Sequence, residues 1–215
     1  MIGQIGVLSY RTLVFSLALF YTIYTCIVSD WTEPGGPLRY LTVWGLFMSL
    51  AVSWRVLQNT RGHVDIRWDP FVSTTAIINA MVVFLYWTLF FENPTSVTST
   101  GQLDVWWREY YMHLLGPVLM WIDAVFINRV FQSLRKTIFL LTFLIVLYVF
   151  WIETFVHWLN ISPVGKISNG LPYPFLNDLS AFDRTIFYSS NFIVSILFLG
   201  AFTAIAWLFR KVFLN

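Results

Sequence analysis

Of the 215 residues, 58% are hydrophobic and only 11% charged, so few polar groups interrupt the long apolar runs. A charged side chain at the centre of a bilayer costs about 3 kcal/mol on insertion scales and usually faces a bundle interior or an aqueous cavity. His113, Asp123, Glu153 and His157 are such residues, with Asn79 an uncharged addition. Imidazole titrates nearest neutrality and can take a proton, whereas a threonine hydroxyl attacks a carbonyl only beside a base. Thr42 lies about four residues inside its apolar run, roughly 6 Å along a helix axis. His113 and His157 lie at a similar depth from the same membrane surface. A hydroxyl and two imidazoles in one layer have the composition of a nucleophile and its base.

Each of these residues also has a purely structural reading. Transmembrane threonines commonly bond the carbonyl four residues back, here Leu38, and Thr42, Gly45, Ser49 and Ser53 form a small-residue stripe suited to helix packing. Glu153 and His157 are four apart on one helical face, so the carboxylate can simply satisfy the imidazole. Asp123 either anchors another helix or relays a proton. His63 lies in a polar loop and reads as solvated, and the lone Cys26 reads as a packed apolar side chain. The chain contains no Gx4GK[ST], GxGxxG, HExxH or GxSxG pattern, so phosphate-loop, dinucleotide, zincin and nucleophile-elbow chemistry lack support. Two other functions compete: haem or metal ligation by His113 and His157 in a membrane redox protein, and a small lipid transporter or binding protein whose path is lined by Asp123, Glu153 and Asn79.

The elements that must position these groups are six apolar runs: Tyr10 to Val28, Leu38 to Leu57, Pro70 to Phe91, Tyr110 to Phe131, Thr137 to Trp158 and Arg184 to Phe209. Each is near the 20 residues a helix needs to cross hydrocarbon, and runs of this length fit helices rather than alternating strands. The expected fold is an all-α bundle of six transmembrane helices in a single domain, residues 1–215, with no removed signal peptide. Trp31, Trp54, Trp68, Trp87, Trp106, Trp107, Trp158 and Trp207 fall near the ends of these runs, where indoles prefer the interface. Arg11, Arg55, Arg61, Arg67, Arg129, Arg135, Lys136, Arg210 and Lys211 fall on one side, and Arg39, Arg108, Lys166 and Arg184 on the other. The richer side is expected to be cytoplasmic, with both termini. Acidic residues, Glu92 and Glu109 among them, gather in the outer loops, where Asn160-Ile161-Ser162 also forms a glycosylation sequon. A net charge of +2 with dispersed basic residues gives no footprint for nucleic acid.

At Arg39-Tyr40-Leu41-Thr42, His113-x3-Pro117-x5-Asp123, His157 and Pro172-Tyr173-Pro174-Phe175-Leu176, the chain resembles the androgen-induced family of intramembrane threonine hydrolases. The resemblance follows the whole order of spans. The spacing from His113 to Pro117 is closer to the prokaryotic branch, which implies a bacterial plasma membrane. Animal members hydrolyse fatty acid esters of hydroxy fatty acids with a threonine and a histidine that match Thr42 and His113. The resemblance thus implies a lipid ester substrate taken from the bilayer, with no cofactor and no metal. The matched segment Tyr173-Pro174-Phe175 either covers the site or is a proline-restrained turn with interfacial aromatics. Backbone amides near Thr42 are expected to be mostly bonded within the helix, which points to a side chain such as Tyr111, His157 or Asn79 as donor to an oxyanion.

Overall fold

A computed structural model describes residues 3–64, 67–98, 101–103, 105–160 and 170–213. Lys166 and the last two residues of the sequon lie outside them. Six long helices are long and apolar enough to cross a membrane: α1 (Gln4–Val28), α2 (Leu41–Thr60), α3 (Asp69–Glu92), α4 (Trp106–Ile127), α5 (Leu134–Leu159) and α6 (Ala181–Phe213). No strand occurs among the described residues. The chain is an all-helical integral membrane protein.

The helix α3 is the centre of the bundle. Its residues from Val72 to Val82 are buried without a break, the mark of a helix packed on every side. One apolar cluster ties α3 to α1, α2, α4 and α6 through Val14, Val52, Val72, Ile77, Met120, Val125, Phe131 and Leu199. A second joins Tyr148, Ile152 and Val156 of α5 to Leu171 and Leu176. The outward faces of α5 and α6 expose large apolar side chains such as Phe139, Phe143, Val146, Ile193, Leu197 and Val212, a surface suited to lipid rather than water.

Every long helix but α2 begins earlier than the hydropathy reading places it, and α1 and α4 gain the most because charges near the start of the apolar run are neutralised by partners. The helix α1 begins at Gln4 and carries Arg11 inside it, where both Arg11 and Asp123 of α4 are buried. Arg11 Nε and Nη2 donate to the two carboxylate oxygens at 2.7 and 2.8 Å, and Nη1 donates to Thr60 Oγ1 at 2.6 Å and the Val56 carbonyl at 3.3 Å. Asp123 is therefore an anchor between helices. The helix α4 begins at Trp106, so Glu109 is helical rather than in an outer loop. The helix α2 instead begins late, at Leu41, because Gly36–Arg39 forms a tighter turn of its own. Thr42 is thus in the first turn of α2 rather than about four residues deep.

Two helices also contain wide turns with i to i+5 geometry: Tyr111–Leu115 and Asp123–Ile127 in α4, and Trp151–Val156 in α5. They hold His113, Asp123 and Glu153 respectively. Such turns are rare and recur at functional positions within helices.

Candidate active site

The first turn of α2 meets the wide turn Tyr111–Leu115 of α4 at one end of the bundle, and there Thr42 Oγ1 lies 3.3 Å from His113 Nε2. Nine other threonine hydroxyls of the long helices behave differently. Thr12, Thr22, Thr60, Thr74, Thr75, Thr137, Thr154, Thr185 and Thr203 each donate to the carbonyl four residues back. The carbonyl that would serve Thr42, that of Leu38, accepts instead from the indoles of Trp44 (2.7 Å) and Trp151 (3.2 Å). The Thr42 hydroxyl is left facing the imidazole.

His113 is held from three directions. Its Nδ1 lies 3.1 Å from the Glu109 carbonyl and 3.2 Å from Glu109 Oε2, both acceptors, so the neutral ring carries its proton on Nδ1 and Nε2 is the acceptor for Thr42. The Tyr86 ring stacks on the imidazole with centroids 3.5 Å apart and planes 6° from parallel, while its hydroxyl donates to Glu109 Oε2 at 3.1 Å. Arg108 Nε and Nη2 donate to Glu109 Oε1 at 3.1 and 2.7 Å. A charged acceptor on Nδ1 stabilises the imidazolium that forms when Nε2 takes a proton.

The local sequence explains the aim of the ring. Pro117 stands four residues after His113 and has no N–H to bond the His113 carbonyl. That carbonyl accepts instead from Trp87 Nε1 of α3 at 2.8 Å. The Gly116 N–H reaches back to the Tyr111 carbonyl, closing the wide turn, and a Cβ on Gly116 would stand 3.0 Å from that oxygen. The Gly-Pro pair thus opens the helix where His113 turns toward α2.

A cavity of about 970 Å³ opens on this pair, at the upper end of the range for ligand sites. Thr42, His113, Glu109 and Tyr86 share its wall with Met81, Val82, Leu85 and Leu89 of α3 and with Tyr173, Pro174 and Phe175. Tyr173 is fixed there: its hydroxyl accepts from the Leu41 N–H at 3.1 Å, and burial pushes its phenol up from the ordinary value. The segment therefore forms part of the cavity wall. The amides of Val43 and Trp44 return to the Tyr40 carbonyl. That of Thr42, in the first turn of α2, has no intrahelical acceptor and no other among the described residues. The expectation that amides near Thr42 are mostly bonded within the helix describes Val43 and Trp44 but not Thr42 itself, because α2 starts only one residue before it.

The remaining residues singled out from the sequence have other surroundings. Asn79 donates to Ser49 Oγ at 2.8 Å, and the missing Cβ of Gly45 leaves room for its carbonyl oxygen. Tyr111 stacks on Tyr21 of α1 with centroids 3.6 Å apart. Asn79 and Tyr111 reach Thr42 only across a void of about 10 Å³, water-sized at most. Glu153 accepts from Arg184 (2.9 and 3.2 Å) and Tyr188 (2.8 Å), and His157 Nδ1 lies 3.6 Å from it; neither lines the large cavity. Glu109 is the residue that sequence reading missed. Its signal was present as the same four-residue spacing to His113 that links Glu153 to His157.

Residues 7–206 match the family model described as FAR-17a/AIG1-like protein. The chain belongs to the FAR-17a/AIG1-like family. The match runs from α1 into α6, so the paired Thr42 and His113 and the cavity before them lie within the family region of this FAR-17a/AIG1-like chain. Searches of curated proteins and of solved structures found no match.

Proposed function

We propose that this FAR-17a/AIG1-like chain is an intramembrane hydrolase of lipid esters, fatty acid esters of hydroxy fatty acids foremost, in which Thr42 is the nucleophile, His113 the base and Glu109 the residue that positions the base. The observation that carries the reading is the Thr42 to His113 contact of 3.3 Å on the wall of an acyl-sized cavity. His113 Nε2 takes the hydroxyl proton as Oγ1 attacks the acyl carbonyl, then returns it to the departing alkoxide, leaving an acyl-threonine. Nε2 next takes a proton from water, the resulting hydroxide attacks the acyl carbon, and the acid leaves as Thr42 regains its proton. The branched Thr42 side chain is stiff at χ1, which keeps the hydroxyl on the imidazole. The Thr42 amide, free of the helix ladder, is placed to serve the oxyanion as a nucleophile's own amide does in serine proteases.

We place the cavity in the outer leaflet of a bacterial plasma membrane, with both termini inside, on the skewed distribution of Lys and Arg and the proline spacing. Substrate would enter from the bilayer between helices. Labelling with a fluorophosphonate probe and mapping the modified residue tests the chemistry: modification at Thr42 is expected, and modification only elsewhere overturns it. Cysteines at Thr98 and Ser133 should react with an impermeant thiol reagent from outside and inside respectively; the reverse pattern inverts the topology.

A further inference from the structure

Arginine presents five N–H donors in a rigid fork, and buried arginines are normally used to the full. Arg11 and Arg184 follow that rule, each donating from all three nitrogens. Arg108, on the cavity wall, gives two nitrogens to Glu109. Arg39 is different. Its side chain is only 16% exposed, yet among the described residues it makes one side-chain hydrogen bond, from Nη1 to Glu33 Oε2 at 3.1 Å. Its Nε is buried with no acceptor among them.

The place of this underused cation is informative. Arg39 ends the helical turn Gly36–Arg39 that leads into α2, three residues before Thr42, and lines the same cavity. Its guanidinium lies over the Tyr40 ring at 5.1 Å, and its carbonyl is tied by the Tyr148 hydroxyl at 2.9 Å, so backbone and side chain are both restrained. The wall deeper in the bundle is apolar, formed by Met81, Val82, Leu85 and Leu89. A molecule filling the cavity would meet Arg39 beside the carboxylates of Asp30, Glu33 and Asp178 at its polar end and hydrocarbon at the other.

We propose that Arg39 binds an anionic group of the lipid ester, a carboxylate or a phosphate, and so selects anionic amphiphiles over neutral esters. The assignment rests on the hydrolase reading for its ester and on Arg39 alone for its anion. The planar fork suits bidentate capture of either oxyanion, with Glu33 as the internal competitor that holds Nη1 until ligand arrives.

Two matched pairs of probes test this on the purified full-length protein: a fatty acyl ester of hydroxystearic acid against its methyl ester, and a lysophosphatidic acid against the corresponding monoacylglycerol. The wild type should prefer the anionic member of one pair by about tenfold or more in kcat/KM, and the pair that responds separates carboxylate from phosphate. Arg39→Gln should abolish that preference, Arg39→Lys should keep part of it, and Glu33→Gln should raise it by freeing Nη1. No preference in the wild type, or one that survives Arg39→Gln, overturns the proposal. If the wild type hydrolyses none of the four, the hydrolase reading fails and the anion site is tested by binding. Thermal protection by stearate or lysophosphatidate, lost in Arg39→Gln, then sustains the site, and protection equal in both proteins removes it.

Discussion

Two Glu-x3-His pairs stand at the same end of the bundle, Glu109 with His113 at the start of α4 and Glu153 with His157 at the end of α5, and their surroundings diverge. His113 and Glu109 have side chains 9% and 10% exposed, whereas those of His157 and Glu153 are 27% and 25% exposed. Beyond the imidazole of the first pair lies the Thr42 hydroxyl and a cavity; among the described residues, His157 makes no hydrogen bond to a hydroxyl. The carboxylate also has different duties. Glu109 shares one oxygen with Arg108 and offers the other to Tyr86 and His113. Glu153 is occupied by Arg184 and Tyr188, which tie α5 to α6. An i, i+4 spacing creates a carboxylate–imidazole pair; what lies on the far side of the ring decides whether the pair does chemistry or fastens helices.

The largest test of that difference is removal of the reacting groups. Thr42→Ala and His113→Ala should each lower ester hydrolysis by on the order of 10³-fold or more, and the double variant should be little worse than either, because nucleophile and base act as a unit. His157→Ala should stay within about threefold of wild type if its role is to pair with Glu153. Comparable losses at both histidines would erase the distinction drawn between the pairs.

Exchanging the carboxylates gives the next effect. Glu109→Gln should cost about 10² to 10⁴-fold in kcat, because an amide can present the wrong group to Nδ1 and cannot stabilise the imidazolium. Glu153→Gln should instead lower stability by about 1–2 kcal/mol, reduced by its partial exposure, with kcat little changed. Kinetics and thermal unfolding of both variants separate the two roles. A kcat loss at Glu153→Gln as large as at Glu109→Gln would merge them.

The smallest effects concern the aim of His113. Trp87→Phe removes the donor that holds the His113 carbonyl and should lower kcat about tenfold, with KM less affected. Pro117→Ala restores an N–H four residues after His113, which competes with Trp87 and tightens the wide turn. It should raise thermal stability slightly and lower kcat severalfold, since the cost of an interior proline is relieved while the ring is turned from Thr42. A variant both more stable and fully active would show that the wide turn does not position the base.

Much of this protein was legible in one dimension. Composition and the length of the apolar runs determine a membrane protein of six helices, because hydrocarbon demands about 20 apolar residues per crossing and internally satisfied backbone, whatever the partners are. Short motifs bring Thr42, His113 and Tyr173-Pro174-Phe175 forward. The tertiary structure alone decided where charges are tolerated. Arg11 and Asp123 are 112 residues apart, and only their meeting lets α1 and α4 carry them inside. Glu109 reads as a loop residue because hydropathy scores a carboxylate as exposed; Arg108, Tyr86 and His113 neutralise and bond it, so the helix begins earlier and the base acquires its partner. The Thr42 hydroxyl could bond its own helix, as threonines elsewhere in the bundle do, and faces His113 because Trp44 and Trp151 occupy the Leu38 carbonyl. Pairing across helices depends on three-dimensional neighbours, and no pattern along the chain contains them.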